Sequence, residues 1–83
     1  MERQYKLLIV DDETEIRDTY SDYFAKRDFI VETAADGVEG LDKLLQDEFD
    51  VALIDIKMPK MDGIEVIRQA LAYDPVDANI IFI

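Results

Sequence analysis

An α/β domain built on a parallel sheet is what this sequence predicts, and three observations carry that prediction. Short apolar runs alternate with longer stretches of helical periodicity, in the order βαβαβαβ. The connections between them are short, which implies parallel strands joined by right-handed crossovers. Three connections also share one helix-starting pattern, an aspartate followed three residues later by a glutamate: Asp12 with Glu15, Asp36 with Glu39, and Asp62 with Glu65. Each aspartate is expected to accept the first free N–H groups of a helix, as in a capping box.

The first strand is read at Lys6-Leu7-Leu8-Ile9-Val10, an apolar run closed by Asp11-Asp12-Glu13. A helix follows, with Ile16, Tyr20, Tyr23 and Phe24 on one face. Residues 29–34 form a second strand, less apolar and therefore placed at a sheet edge. Asp36-Gly37 marks a turn, after which Val38, Leu41, Leu44 and Leu45 stripe a second helix. Val51-Ala52-Leu53-Ile54 reads as a strand buried on both faces, running straight into Asp55. Pro59, four positions on, keeps the chain from re-entering regular structure at once and pushes Met58 toward extended geometry. Ile64, Ile67, Ala70 and Leu71 stripe a third helix, ended by Tyr73-Asp74-Pro75. Residues 79–83 read as a fourth strand.

Eighty-three residues make one domain, 1–83, with no linker and no repeat beyond the helix starts. A chain this short buries only about 60–65% of its extended surface, so a stability of roughly 5 kcal/mol or less is expected. The net charge is −11. That argues against direct binding to nucleic acid or anionic membrane and suits metal cations or a basic partner. The chain has neither cysteine nor histidine. Thiol chemistry, disulfides, imidazole catalysis and His-ligated zinc are excluded with them. With no signal peptide or membrane-length apolar run, a cytoplasmic location is the expectation.

Asp11 and Asp12 close the first strand, and Asp55 closes the third. In open α/β sheets ligands bind at the carboxyl ends of the strands. If strands 1 and 3 are neighbours, their ends lie about 5 Å apart and three carboxylates converge. Three like charges so close repel, and at least one pKa rises unless a cation intervenes. All-oxygen ligation favours Mg²⁺. Singly each residue has a plainer reading: Asp12 as a helix N-cap, Asp11 as one acidic residue in an acidic protein, Asp55 as a chance strand-end polar group. The combination outweighs them, because two apolar strands deliver carboxylates to matching places. Asp62-Gly63 is read as turn plus N-cap, Lys57 and Lys60 as solvated loop charges, and the Tyr20, Tyr23 and Phe24 group as core or partner surface.

Leu8-Ile9-Val10-Asp11-Asp12-Glu13, Ala35-Asp36-Gly37 and, above all, Asp55-Ile56-Lys57-Met58-Pro59-Lys60-Met61-Asp62-Gly63 resemble the receiver domain of bacterial two-component response regulators, the CheY-like superfamily. The resemblance implies a flavodoxin-like sheet with strand order 2-1-3-4-5, which would make strands 1 and 3 neighbours. It implies that Asp55 is the phosphoryl acceptor, taking its phosphoryl group from a phosphohistidine on a sensor histidine kinase or phosphotransfer protein. It implies Mg²⁺ ligation by Asp11, Asp12, Asp55 and the backbone carbonyl of Lys57. Such a module is a phosphoacceptor rather than an enzyme. The family's Ser or Thr just beyond strand 4, its strand 5 with a terminal Lys, and helices 4 and 5 have no counterpart up to Ile83, so the resemblance is to a receiver truncated after strand 4. Self-association through an uncovered sheet face and the strand 4 edge is the corollary. The competing reading is a catalytically impaired receiver fragment that acts as an interaction or oligomerisation module. A phosphohydrolase with an aspartyl nucleophile would want a second acid two residues after Asp55, where Lys57 stands.

Overall fold

The computed structural model describes residues 4–73 and 75–83. Seven elements alternate: β1 (Lys6–Val10), α1 (Thr14–Ala25), β2 (Ile30–Ala34), α2 (Gly37–Gln46), β3 (Val51–Ile54), α3 (Gly63–Tyr73) and β4 (Asn79–Phe82). All strand pairs are parallel, in the order β2-β1-β3-β4. This is the α/β, flavodoxin-like arrangement expected, with the less apolar β2 outside β1. Val10 pairs with Ile54, so the C-terminal ends of β1 and β3 lie side by side.

The two central strands are apolar on both faces because both faces are covered. On one face Leu7, Ile9 and Leu53 pack under Tyr20 and Phe24 of α1, with Phe29 and Val31 alongside. On the other, Leu8, Val10, Ala52 and Ile54 meet Leu41 and Leu44 of α2 and Val66 and Ile67 of α3. Gly40 is the point where α2 meets β1; a Cβ there would lie 2.9 Å from both Val10 methyl carbons.

The helix starts divide two to one. Asp36 Oδ1 accepts from Glu39 N at 2.8 Å, and Asp62 Oδ1 accepts from Glu65 N at 2.8 Å. Glu39 answers by accepting from Ala35 N, one residue before the cap. Each cap contributes about 1 kcal/mol. The first start corrects the sequence reading. The N-cap of α1 is Glu13, which makes no side-chain cap bond, and Asp12 stands outside the helix. The ladder continues through Asp11, whose N donates to Ala34 O. The Asp11 carboxylate then takes the N–H of Glu13, which displaces the helix start.

α1 closes without a glycine. Asp28 takes a left-handed φ of 67°. Asp28 N donates to Ala25 O and Phe29 N to Phe24 O, the paired bonds of a Schellman motif. Phe29 then packs edge-on against Phe24 at 5.4 Å between ring centroids. Tyr23 leans on the other side of Phe24 but is about half exposed, with the Arg27 guanidinium 3.6 Å from its ring.

Two of the three expected apolar stripes are rotated, and the third, on α1, loses one member. In α2 the contact face is Gly37, Gly40, Leu41 and Leu44, while Val38 and Leu45 are exposed. In α3 it is Gly63, Val66, Ile67 and Ala70, while Ile64 and Leu71 are exposed. In α1 it is Tyr20 and Phe24 that pack on the core rather than Tyr23. α3 ends at Tyr73, as expected; Asp74 in the expected stop lies outside the described residues.

Candidate functional site

Asp55 follows directly on β3, and its N donates to Val10 O at 2.9 Å. Asp11 follows directly on β1. Both carboxylates are thus carried one step past the buried strands, on the edge where an open sheet presents its ligand site. Asp11 is buried at 5% exposure, Asp55 is part-buried, and Asp12 is exposed. One carboxylate oxygen from each of the three comes within 4.8 Å of the others. The three residues expected to converge therefore do.

Each carboxylate has a different fixed point. Asp11 Oδ1 accepts from Glu13 N at 2.9 Å, which turns it back over its own loop. Asp55 Oδ1 accepts from Lys57 N at 3.0 Å. Burial pushes the Asp55 carboxyl above its ordinary value, the Lys57 N–H pulls it down, and the charges of Asp11 and Asp12 push it up again. A carboxyl whose charge is disfavoured by burial and by two neighbouring carboxylates is a site that gains from a cation.

The donor set suits Mg²⁺. It is all carboxylate oxygen, it is open to water through Asp12, and it contains no nitrogen or sulfur ligand. Oxygens on one Mg²⁺ lie at about 2.1 Å from it and hence no more than about 4.2 Å apart, so the trio needs only a small closing of side chains. The backbone N–H of Lys57 is engaged with Asp55, and its side chain is exposed, as is that of Lys60.

Two features of the site escaped the sequence reading. One is the loop from Asp55 to α3. Met58 is buried in the core. After it, Lys60 takes a φ of 70° and Met61 N donates to Pro59 O at 2.8 Å, closing a three-residue γ-turn. Gly63 N then reaches back to Ile56 O. Gly63 is where the helix touches Asp55: a Cβ on it would lie 2.4 Å from the Asp55 carbonyl oxygen. From sequence Gly63 reads as a turn residue, because nothing local reports that approach. The other is Arg17, whose Nη1 donates to Asp11 O at 2.7 Å. An arginine one turn into an acidic helix carries no sequence signal for that role.

The comparisons agree with this geometry. The family model of the response regulator receiver domain matches residues 7–83. Response regulator MprA of Mycobacterium tuberculosis (strain ATCC 25618 / H37Rv) is 39% identical over 64 residues, covering 77% of this chain and 28% of the relative. The chain thus spans little more than a quarter of the length of the curated relatives it matches. Among solved structures, a CheY-like receiver domain protein from Methanospirillum hungatei JF-1 superposes with a TM-score of 0.88 at 36% identity, covering 96% of this chain and 63% of that one. The response regulator TrrA from Thermotoga maritima, solved in complex with Mg²⁺-BeF, gives a TM-score of 0.86 at 32% identity, over 95% of this chain and 68% of that one.

Proposed function

The chain belongs to the response regulator receiver domain family, and from that premise we propose that it is a phosphoacceptor module of two-component signalling with Asp55 as acceptor. The observation that carries the reading is the meeting of Asp11, Asp12 and Asp55 at the ends of two adjacent strands. An Asp55 oxygen attacks the phosphorus of a phosphohistidine on a sensor kinase or phosphotransfer protein. The O–P bond forms as the P–N bond breaks, and the imidazole leaves with the electron pair. Asp11, Asp12, Asp55 and the Lys57 carbonyl would hold Mg²⁺, which offsets charge on the carboxylates and on the transferring phosphoryl oxygens.

In this reading the protein accepts a phosphoryl group and is not a turnover enzyme. Its acidity, at a net charge of −11, leaves nucleic acid binding to other parts of such regulators. A kinase partner places it in the cytoplasm; no helix among the described residues is long and apolar enough to cross a membrane. The test is incubation with acetyl phosphate and Mg²⁺, followed by intact-mass and peptide mapping. One phosphoryl group on Asp55, lost when EDTA replaces Mg²⁺, is the expected result. A phosphoryl group on any other residue overturns the assignment.

A second reading has its own observation. Ile81, Phe82 and Ile83 are exposed along the β4 side of the sheet, where no charged side chain interrupts them. Such an edge pairs readily with another chain. The 83-residue chain is expected to self-associate through it whether or not Asp55 is phosphorylated. Sedimentation velocity showing a concentration-independent monomer would remove this reading and leave the acceptor reading intact.

A further inference from the structure

We propose that Arg17 is a positioning residue for Mg²⁺, a two-pronged clamp that holds the loop carrying Asp11 and Asp12 in its metal-ready form. The inference rests on the phosphoacceptor reading above and adds a residue to it. The loop has an unusual need for such a clamp. Its helix starts without a side-chain cap at Glu13. Its first carboxylate is folded back onto Glu13 N. Three like charges meet above it.

Arg17 answers each of these. Nη1 donates to the Asp11 carbonyl oxygen at 2.7 Å, and Nη2 reaches Thr14 Oγ1 at 3.2 Å. Arg17 N also donates to Glu13 O at 3.1 Å in the first turn of α1. One side chain therefore ties the first residue of the loop, Asp11, to Thr14, the first residue of the helix after it. The guanidinium is the group suited to this, since its donors form a rigid planar fork that reaches two acceptors at once. It also places a full positive charge beside the backbone of Asp11, which opposes the repulsion that would spread the loop. Groups that orient metal ligands from behind typically account for 10–100-fold in metal affinity.

Calorimetric Mg²⁺ titration of the wild type, Arg17→Ala, Arg17→Lys and Thr14→Val tests this, with urea unfolding in EDTA alongside. Arg17→Ala is expected to weaken Mg²⁺ binding about 10-fold. Arg17→Lys keeps the charge but not the fork, so it is expected to stay impaired. Thr14→Val, which removes one prong, is expected to fall between Arg17→Ala and wild type. At saturating Mg²⁺ the phosphorylation rate of Arg17→Ala with acetyl phosphate returns to the wild-type value, a recovery that a mere loss of folded protein would not show. Wild-type affinity in Arg17→Ala, or full rescue by lysine, overturns the clamp. No Mg²⁺ binding by the wild type overturns the phosphoacceptor reading first and the clamp with it. Should Arg17→Ala not fold, Arg17→Lys and Thr14→Val decide the question between them.

Discussion

Asp55→Asn is expected to abolish phosphoryl uptake and, in the absence of Mg²⁺, to make the protein more stable. The two effects come from one cause. Asp55 is part-buried beside two other carboxylates, and both burial and those charges raise its pKa in the folded state. A carboxyl whose folded pKa lies above its unfolded value binds more protons in the native state across the interval between the two. Unfolding free energy therefore falls as pH rises through that interval, from the ordinary carboxylate range upward. Below it the carboxyl is protonated in both states and costs nothing; above it the full penalty is present. Asparagine keeps the oxygen that accepts from Lys57 N and removes the charge. The gain is fully present above that interval, and for a domain of this size each kcal/mol of it raises Tm by roughly 4–8 °C. Urea titrations of both proteins across the acid range measure it. The midpoints should converge at low pH and separate as pH rises. Added Mg²⁺ should stabilise the wild type and leave the variant nearly unmoved. A variant less stable than wild type in EDTA at neutral pH would mean that the three carboxylates do not repel as their spacing implies.

The separate fate of the three aspartates shows what a sequence can and cannot say here. That Asp11 and Asp55 end two strands is legible, because each closes a run of apolar residues that only a doubly covered strand would need. Their adjacency is not local information. It depends on strand order, which the resemblance of residues 55–63 to receiver domains supplied and Val10 opposite Ile54 bears out. Asp12 shows the opposite failure. Its spacing to Glu15 matches the caps of α2 and α3, yet Asp11 takes the N–H that sets the loop, and the helix begins at Thr14. Two rules for the same few backbone groups competed, and the tertiary ladder from β1 won. The helical faces fail for a related reason. Ile64, Ile67, Ala70 and Leu71 are as regular a stripe as Gly63, Val66, Ile67 and Ala70. What chooses between them is the rotation of α3 about its axis, and its first residue, Gly63, meets the Asp55 backbone too closely to admit a Cβ.

That contact makes Gly63→Ala the substitution with the largest expected loss of stability. A Cβ at this position would lie 2.4 Å from the Asp55 carbonyl oxygen, 3.1 Å from its carbonyl carbon and 2.8 Å from Ile54 Cγ2. Two of the three are backbone atoms at the end of a buried strand, with no rotamer to retreat into. The helix cannot easily move instead. Gly63 N is bonded to Ile56 O, Asp62 caps the next turn, and Val66 and Ala70 are fully buried. Alanine's better helix propensity returns less than about 1 kcal/mol. Overpacking against fixed atoms costs about 1–3 kcal/mol or more, a large share of what so small a domain holds. Gly40→Ala is the matched control, because its new Cβ meets only the Val10 side chain, at 2.9 Å for the nearest methyls. It too is expected to destabilise, but by pressing on a strand neighbour far less directly tied to Asp55. Urea midpoints should rank wild type above Gly40→Ala and Gly40→Ala above Gly63→Ala. Mg²⁺ affinity, measured on the folded fraction, should fall for Gly63→Ala and hold for Gly40→Ala, since only the first displaces the Asp55 peptide. Equal stability of Gly63→Ala and wild type would show that α3 can swing away from Asp55 at little cost. The glycine would then be a turn residue and nothing more.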